Sequence, residues 1–316
     1  MGKAIVVHGG AGTIASARHA AALLGCREAA LAGWAVLAAS GSALDAVVAA
    51  VTTLEDNPGF NAGTGSVLTR DGHTECDAGI MNGKTLEAGA IAGVERIKNP
   101  IQLARLVLRS PHVLLIGSGA EEFAVESGMA LCEPDALVTD DQRERWRKGY
   151  REGDDIHAGP VADGILPDEH VHADGTDHGT VGAVALDESG LIVAGTSTGG
   201  FGAKHPGRVG DTPLLGAGFY AENPYGGASC TGRGEHFIRL LMAKRAVDFI
   251  SQGMSAQQAA EAAIAVLTAR TPGKGGLIVL SERGEIGVAH SSPSIAWASM
   301  RDGADEPTAG ITAMPL

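Results

Sequence analysis

The chain is poor in several things, and each shortage excludes a class of protein. Its 316 residues contain four cysteines, Cys26, Cys76, Cys132 and Cys230, widely spaced and without a CxxC pair. That usage fits reduced thiols and argues against a disulfide scaffold or a zinc knuckle. Positive charge is also short: 24 Lys and Arg face 37 Asp and Glu, a net charge of -13. Non-specific nucleic-acid binding needs clustered cations to displace counterions, and an anionic membrane surface would repel this chain; neither partner is expected. No run approaches the roughly 18–20 apolar residues of a membrane span. The N-terminus carries a four-residue apolar run, Ala4–Val7, short of the about 7–15 residues of a signal-peptide core, so the expected location is cytoplasmic. Aromatics make up only 4 %.

What the chain does have is apolar residues (44 %) and 46 glycines. The first allows a sizeable core in one large domain or two ordinary ones, and with charged residues at 19 % it excludes disorder. Glycine at about twice its usual share of roughly 7 % calls for tight turns and close backbone approach. A site built from backbone groups would use both.

Residues 4–7 read as a buried strand entering a glycine turn, His8-Gly9-Gly10-Ala11-Gly12. An Ala/Leu-rich helix is predicted over 17–39, stopped by Gly41. Ser42 caps a second through Leu54, and Asn99-Pro100 starts a third over 101–109. Between 57 and 95, Gly, Asn and Asp punctuate short strands and turns. A strand over 112–116, a short helix from Ser118 and a solvated charged helix over 140–152 follow. Residues 153–179 hold six Asp and four His with little that could form a core, and read as a linker. The pattern then switches abruptly to Thr-Val-Gly-Ala-Val-Ala-Leu (180–186), apolar on both alternating faces as in a strand covered on both sides. Further strands are expected at 191–198, 229–231, 276–280 and 286–290, and helices at 234–250 and 255–269.

Four local patterns invite chemistry and fit their surroundings poorly. Gly195-Thr196-Ser197-Thr198-Gly199 matches a GxSxG elbow, with Ser197 as an esterase nucleophile, but no helix follows it. Ala78–Thr85 nearly matches a phosphate loop without the strand before it or the helix after it. Gly117-Ser118-Gly119 starts like a dinucleotide fingerprint and has Glu122 where the third glycine belongs. His170, His172, Asp174, Asp177 and His178 are zinc-ligand types set in a linker.

A fifth set is longer. Gly179-Thr180 sits at the linker–strand boundary, followed by Thr196–Gly200, Gly207-Arg208-Val209-Gly210-Asp211, Gly216-Ala217-Gly218 and Ser229-Cys230-Thr231-Gly232-Arg233-Gly234-Glu235. The first half adds His8–Gly12 and Phe60-Asn61-Ala62-Gly63-Thr64-Gly65. In this order the set resembles the plant-type isoaspartyl peptidase/L-asparaginase branch of the N-terminal-nucleophile hydrolases, over almost the whole chain apart from the linker and the last twenty or so residues.

The resemblance implies a cut between Gly179 and Thr180. A threonine hydroxyl is a weak nucleophile until a base takes its proton, and an uncut Thr180 has only an amide nitrogen. Cleavage frees an α-amine beside the hydroxyl. Such an amine ordinarily titrates at about 7.7–8.0, which suits a general base near neutrality. Arg208 can hold a carboxylate with two parallel hydrogen bonds and Asp211 an ammonium, which together recognise the α-carboxylate and α-amine of an aspartyl unit. By resemblance, Thr231 and the Gly232 N–H form the oxyanion hole, Thr198 supports the nucleophile and its amine, and Asn61 borders the site. Backbone carbonyls of Leu54, Glu55, Asn57, Phe60, Ala62 and Thr64 would hold a structural sodium ion; catalysis needs no cofactor. The sequence departs from the family at Asn82, where Asp is usual, at Gly202-Ala203, and at His290–Ala298, which lacks the usual Asn-Thr stretch.

The expectation is thus a four-layer αββα hydrolase, one domain made as a precursor and cut into parts of 179 and 137 residues, assembling as a dimer of αβ heterodimers. It would hydrolyse β-aspartyl amides, L-asparagine and isoaspartyl dipeptides, through an acyl-threonine. A glycosylasparaginase of the same superfamily and an uncut amino-acid-binding protein are the alternatives. Neither has a sequence feature in its favour that the first reading lacks.

Overall fold

The computed structural model describes residues 2–149 and 179–312. It is a mixed α/β structure with two sheets. Strand β1 (Ala4–Gly12) lies inside the larger one, between β11 (Ser294–Arg301) and β5 (Val181–Leu186). That sheet also holds β2 (Cys76–Asn82), β3 (Ala88–Val94), β4 (Leu114–Ile116), β6 (Ile192–Thr198) and β12 (Thr308–Gly310), in the order β12-β11-β1-β5-β6-β2-β3-β4. The smaller sheet runs β10 (Ile286–His290), β9 (Gly275–Ser281), β8 (Gly226–Gly232), β7 (Phe219–Glu222).

Both faces of the larger sheet are covered along β1, β2, β5 and β6, which is why these strands lack an exposed alternate face. Ile5 and Val7 of β1 join an apolar cluster with Leu37 of α1 (His19–Ala38), Val47 and Val51 of α2 (Ala43–Asp56) and Ile101 of α3 (Pro100–Leu108). Ala4 and Val6 turn the other way, into a cluster with Val184, Ile192, Phe219, Ile278 and Leu280 that fills the space between the sheets. A third cluster seats Leu277 and Val279 against Phe237 of α6 (Gly234–Leu240), Met242 and Val247 of α7 (Met242–Ser251) and Leu267 of α8 (Ala256–Arg270). Shorter helices α4 (Gly117–Glu126) and α5 (Asp140–Gly149) complete the first half.

Several expectations need correction. The strand expected over 4–7 continues through the supposed glycine turn to Gly12, its ladder to β11 slipping between His8 and Ala11. The helix expected over 234–250 breaks at Leu241, which is left-handed (φ 51°). There the amides of Ala243 and Lys244 donate to the Ala217 and Gly216 carbonyls, so α7 starts afresh on a neighbouring loop. Asn99 holds the N-cap position of α3, but its side chain donates to Asp56, and it is the Glu55 carboxyl that accepts the Ile101 N–H, at 2.9 Å. Ser42 does cap α2, accepting the Asp45 N–H. Strands β7, β11 and β12 were not anticipated. Nor was it anticipated that the Ser16–Ala38 segment is long and apolar enough to cross a membrane by length and composition. In the fold, Ala22, Cys26, Ala29, Ala30 and Leu37 of that segment are buried in the core.

Candidate active site

The site gathers where β1, β5, β6 and β8 end together. Gly10, at φ 109°, lies so close to Gly179 that a Cβ there would stand 2.6 Å from the Gly179 nitrogen and 2.8 Å from its oxygen. A side chain on Gly179 would in turn meet Thr231 Oγ1 at 2.7 Å. Thr231 Oγ1 accepts the Ala11 N–H at 3.1 Å. The residue before Thr180 is therefore held between β1, where Gly10 and Gly179 meet backbone against backbone as only glycines allow, and the Thr231 hydroxyl at the end of β8.

Thr180 is 6 % exposed, and its Oγ1 lies 3.3 Å from Thr212 Oγ1. The β5–β6 ladder pairs Val181 with Ser197; carried one residue on, the register sets Thr180 beside Thr198. The Gly200 N–H donates to Thr198 Oγ1 at 3.0 Å. Asn61 ties the 61–67 loop to the end of β6: its amide donates to the Gly200 carbonyl at 2.6 Å, and its Oδ1 accepts the Val67 N–H.

His8 is buried behind this point, with Nε2 2.7 Å from Ser229 Oγ. Burial pushes its pKa down to about 3, against a smaller opposing effect of the Thr180 backbone, so the imidazole is neutral near pH 7.

Arg208 and Asp211 lie on the loop after β6, Asp211 next to Thr212. The two do not form the surface ion pair that their spacing allows. The Arg208 guanidinium instead forks onto Glu235, Nε to Oε1 and Nη2 to Oε2, both 2.9 Å, over the Phe201 ring at 4.3 Å. Arg233 also reaches Glu235, at 3.4 Å. Asp211 is 2 % exposed and its Oδ2 has no hydrogen-bond partner. Burial raises its pKa to about 7; Arg208 and its own backbone oppose this, and Glu235 and Asp77 add to it. A buried carboxylate oxygen without a donor is costly unless a cation completes it.

The carbonyl loop at 54–65 curls tightly. Gly63 (φ 53°) and Gly65 (φ 95°) are folded so closely over it that added Cβ atoms would meet Glu55 O at 2.8 Å, and Pro58 O and Phe60 O at 2.7 and 2.8 Å. The carbonyls of Leu54, Glu55 and Asn57 each accept one amide, from Asn57, Thr64 and Phe60, which leaves each a second lone pair. Such a set of neutral oxygens fits a hard cation. The buried Glu55 carboxyl is pushed up to about 8 by burial, so it adds little charge near pH 7.

The structure thus brings together Gly179, Thr180, Thr198, Thr231, Gly232 and Asn61, and puts Arg208 and Asp211 on the adjoining loop. Ser197 lies within β6, one residue before its end, and is wholly buried, unlike an exposed elbow nucleophile. The 78–85 pattern is the end of β2 and its hairpin. The His/Asp group at 170–178 and the linker from 153 to 178 lie outside the described residues. Thr212, Phe201 and the pairing partner Glu235 were missed as participants; Glu235 stood in the motif string without a role, and nothing in the neighbouring sequence singled out the other two.

The chain is similar to known proteins along nearly its whole length. Residues 1–309 match the family model described as asparaginase. A plant-type L-asparaginase of Pyrococcus abyssi is 49 % identical over 315 residues, covering 98 % of this chain and 99 % of the relative. The plant-type L-asparaginase of Thermococcus kodakarensis matches to the same extent. An isoaspartyl peptidase/L-asparaginase of Bos taurus is 43 % identical over 305 residues, covering 96 % and 94 %. With a family match over nearly its full length and relatives of this identity, the chain belongs to the asparaginase family.

Proposed function

We infer that this protein is a β-aspartyl amidohydrolase, acting on L-asparagine and isoaspartyl dipeptides and releasing L-aspartate. The observation that carries the reading is the unpartnered, buried oxygen of Asp211 three residues from Arg208 and next to the threonine that contacts Thr180. A carboxylate lacking a cation beside a guanidinium is half of a zwitterion-binding site. The α-ammonium of an aspartyl unit completes Asp211, its α-carboxylate takes the guanidinium N–H groups that Glu235 leaves free, and its β-carbonyl turns to Thr180.

The mechanism begins with the chain's own bond. Thr180 Oγ1 attacks the Gly179 carbonyl, the amide nitrogen leaves as an ester forms, and water opens that ester to a Gly179 carboxylate and a free Thr180 amine. The clamp of Gly10 and Thr231 on Gly179 supports this step by fixing the carbonyl. The freed amine then takes the hydroxyl proton, and Oγ1 attacks the substrate's β-carbonyl. Thr231 Oγ1 and the Gly232 N–H stabilise the oxyanion, each such donor contributing ~2.7–4 kcal/mol. Ammonia or an amino acid departs with the proton, and water releases aspartate from Thr180. Thr198 orients the nucleophile and Asn61 closes the neighbouring wall. A sodium ion held by the carbonyls of Leu54, Glu55, Asn57, Phe60, Ala62 and Thr64 would stiffen that wall.

The fold belongs to this reading as a four-layer αββα sandwich; the three apolar clusters, one between the sheets and one outside each, support it. Residues 1–179 and 180–316 are then two parts of one domain, in a cytoplasmic dimer of heterodimers with no nucleic-acid or membrane partner. Intact mass after incubation at neutral pH tests the cut. Fragments of 179 and 137 residues are expected from the native chain and a single chain from Thr180→Ala. An uncut chain that binds aspartate without turnover would overturn the reading, and preference for a sugar-linked asparagine would move it to glycosylasparaginase.

A further inference from the structure

The Lys204 side chain has no exposure at all. A buried ammonium persists only where it is paired and hydrogen-bonded. Its Nζ donates to the Glu75 carbonyl at 2.7 Å and lies 3.7 Å from Glu75 Oε2. The same carboxylate has a second duty: both its oxygens accept the Gly207 N–H, at 2.9 and 3.0 Å. Gly207 immediately precedes Arg208.

The loop from Gly199 to Asp211 is otherwise without helix or strand. It is sewn to the segment before β2 by two further backbone bonds, Ala203 N–H to Leu68 and Arg70 N–H to Lys204. The lysine stem also packs on the turn after Thr198, since a Cβ on Gly200 would meet Lys204 Cδ at 2.7 Å and Nζ at 2.9 Å. Lys204 therefore touches the loop where it leaves β6, and through Glu75 it fixes the loop again just before Arg208. Burial strengthens such a pair, because the local dielectric is low.

We propose that Lys204 and Glu75 are positioning residues: a buried ion pair that sets the Gly207 N–H, and through it the Arg208 and Asp211 groups, at the spacing of an aspartyl α-carboxylate and α-ammonium. The inference rests on the function proposed above. Neither residue touches the reacting atoms, so the chemistry at Thr180 does not need them, whereas recognition of the amino-acid end does.

The test uses the full-length enzyme with Glu75→Gln and the double variant Glu75→Gln/Lys204→Met, which removes both charges of the pair; buried Asp77, whose pKa burial raises and Lys204 lowers, then holds its proton more readily. Self-cleavage is followed by gel, stability by thermal melting, and KM and kcat with a β-aspartyl dipeptide. Expected for Glu75→Gln is cleavage at the native rate, kcat within about threefold, and KM raised about tenfold or more, since small misplacements of binding groups are costly. The double variant should regain the native melting temperature while KM stays high. Native KM in either folded variant overturns the proposal, as does a double variant that regains both. So does parallel loss of cleavage and kcat, which marks a role in general folding. Should Glu75→Gln not fold, the double variant is read alone by the same criteria. A native enzyme that neither cuts itself nor turns over substrate refutes the function itself, before any variant is needed.

Discussion

Replacing Asp211 by Asn removes a buried carboxylate beside Thr212 whose Oδ2 the free protein leaves without a donor. Its carboxyl is raised from 3.8 to about 7 in the folded chain. Between these values the folded state holds a proton that the unfolded state has lost, so stability falls as pH rises from about 4 to about 7 and the full penalty remains above that. About three units at 1.36 kcal/mol each give at most ~4 kcal/mol. Asp211→Asn should therefore melt higher than the native protein at pH 8, on the order of 5–10 °C, and at nearly the same temperature at pH 4. Activity should move the other way. Truncating one side of a buried charged contact costs about 2–5 kcal/mol, so kcat/KM for a β-aspartyl dipeptide should fall roughly 30-fold to several thousand-fold. In the native enzyme kcat/KM should drop below about pH 7, as Asp211 takes a proton and loses the substrate ammonium. Melting curves at the two pH values and a pH–rate profile read all three effects. An Asn variant no more stable at pH 8 than the native chain, or one with native kcat/KM, would refute the argument.

Three further outcomes follow from the geometry. Thr180→Ala should remain one chain of 316 residues by mass spectrometry, because no other group supplies the attacking oxygen. Gly10→Ala places a methyl 2.6 Å from the Gly179 nitrogen at φ 109°; it should slow self-cleavage by more than about tenfold on a gel time course, while far-ultraviolet circular dichroism stays native. Glu55→Gln keeps an oxygen for the Ile101 N–H and, with the native carboxyl raised to about 8, should change stability near pH 7 little, whereas Glu55→Ala should cost about 2 kcal/mol by denaturant titration.

Local signals predicted local structure well. Ser42 three residues before Asp45 announced the start of α2, and the apolar run at 180–186 announced a strand buried on both faces. What escaped depended on partners far away in the chain. Asn99 does hold the N-cap position of α3, but the side-chain acceptor for its first turn is Glu55, 46 residues before Ile101, which no local signal could show. The break at Leu241 has no glycine or proline to mark it; it exists because the 216–217 carbonyls offer α7 a new set of acceptors. Strand β11 is buried on both faces as β5 is, Ile295 and Trp297 in the cluster between the sheets and Ala296 and Ala298 in the one beneath the helices, but its apolar run is only four residues long and stands between Ser294 and Ser299. The order of the site motifs was legible. That Arg208 would be braced by Glu235, and Asp211 left open, was not, because both depend on how two distant loops meet.

The strand order of the larger sheet bears on what a cut before Thr180 would do. β1 is flanked on both sides by strands from beyond residue 180, and β6 lies between β5 and β2. The two polypeptides would interleave, so that neither could leave without stripping a ladder from its neighbour. Dilution would not separate them. Once unfolded, however, the cut molecule could be rebuilt only by collision of two chains, and its recovery would depend on concentration where that of the precursor does not. Maturation would thus make refolding a bimolecular event, and the working enzyme would keep its shape by not coming apart rather than by folding again.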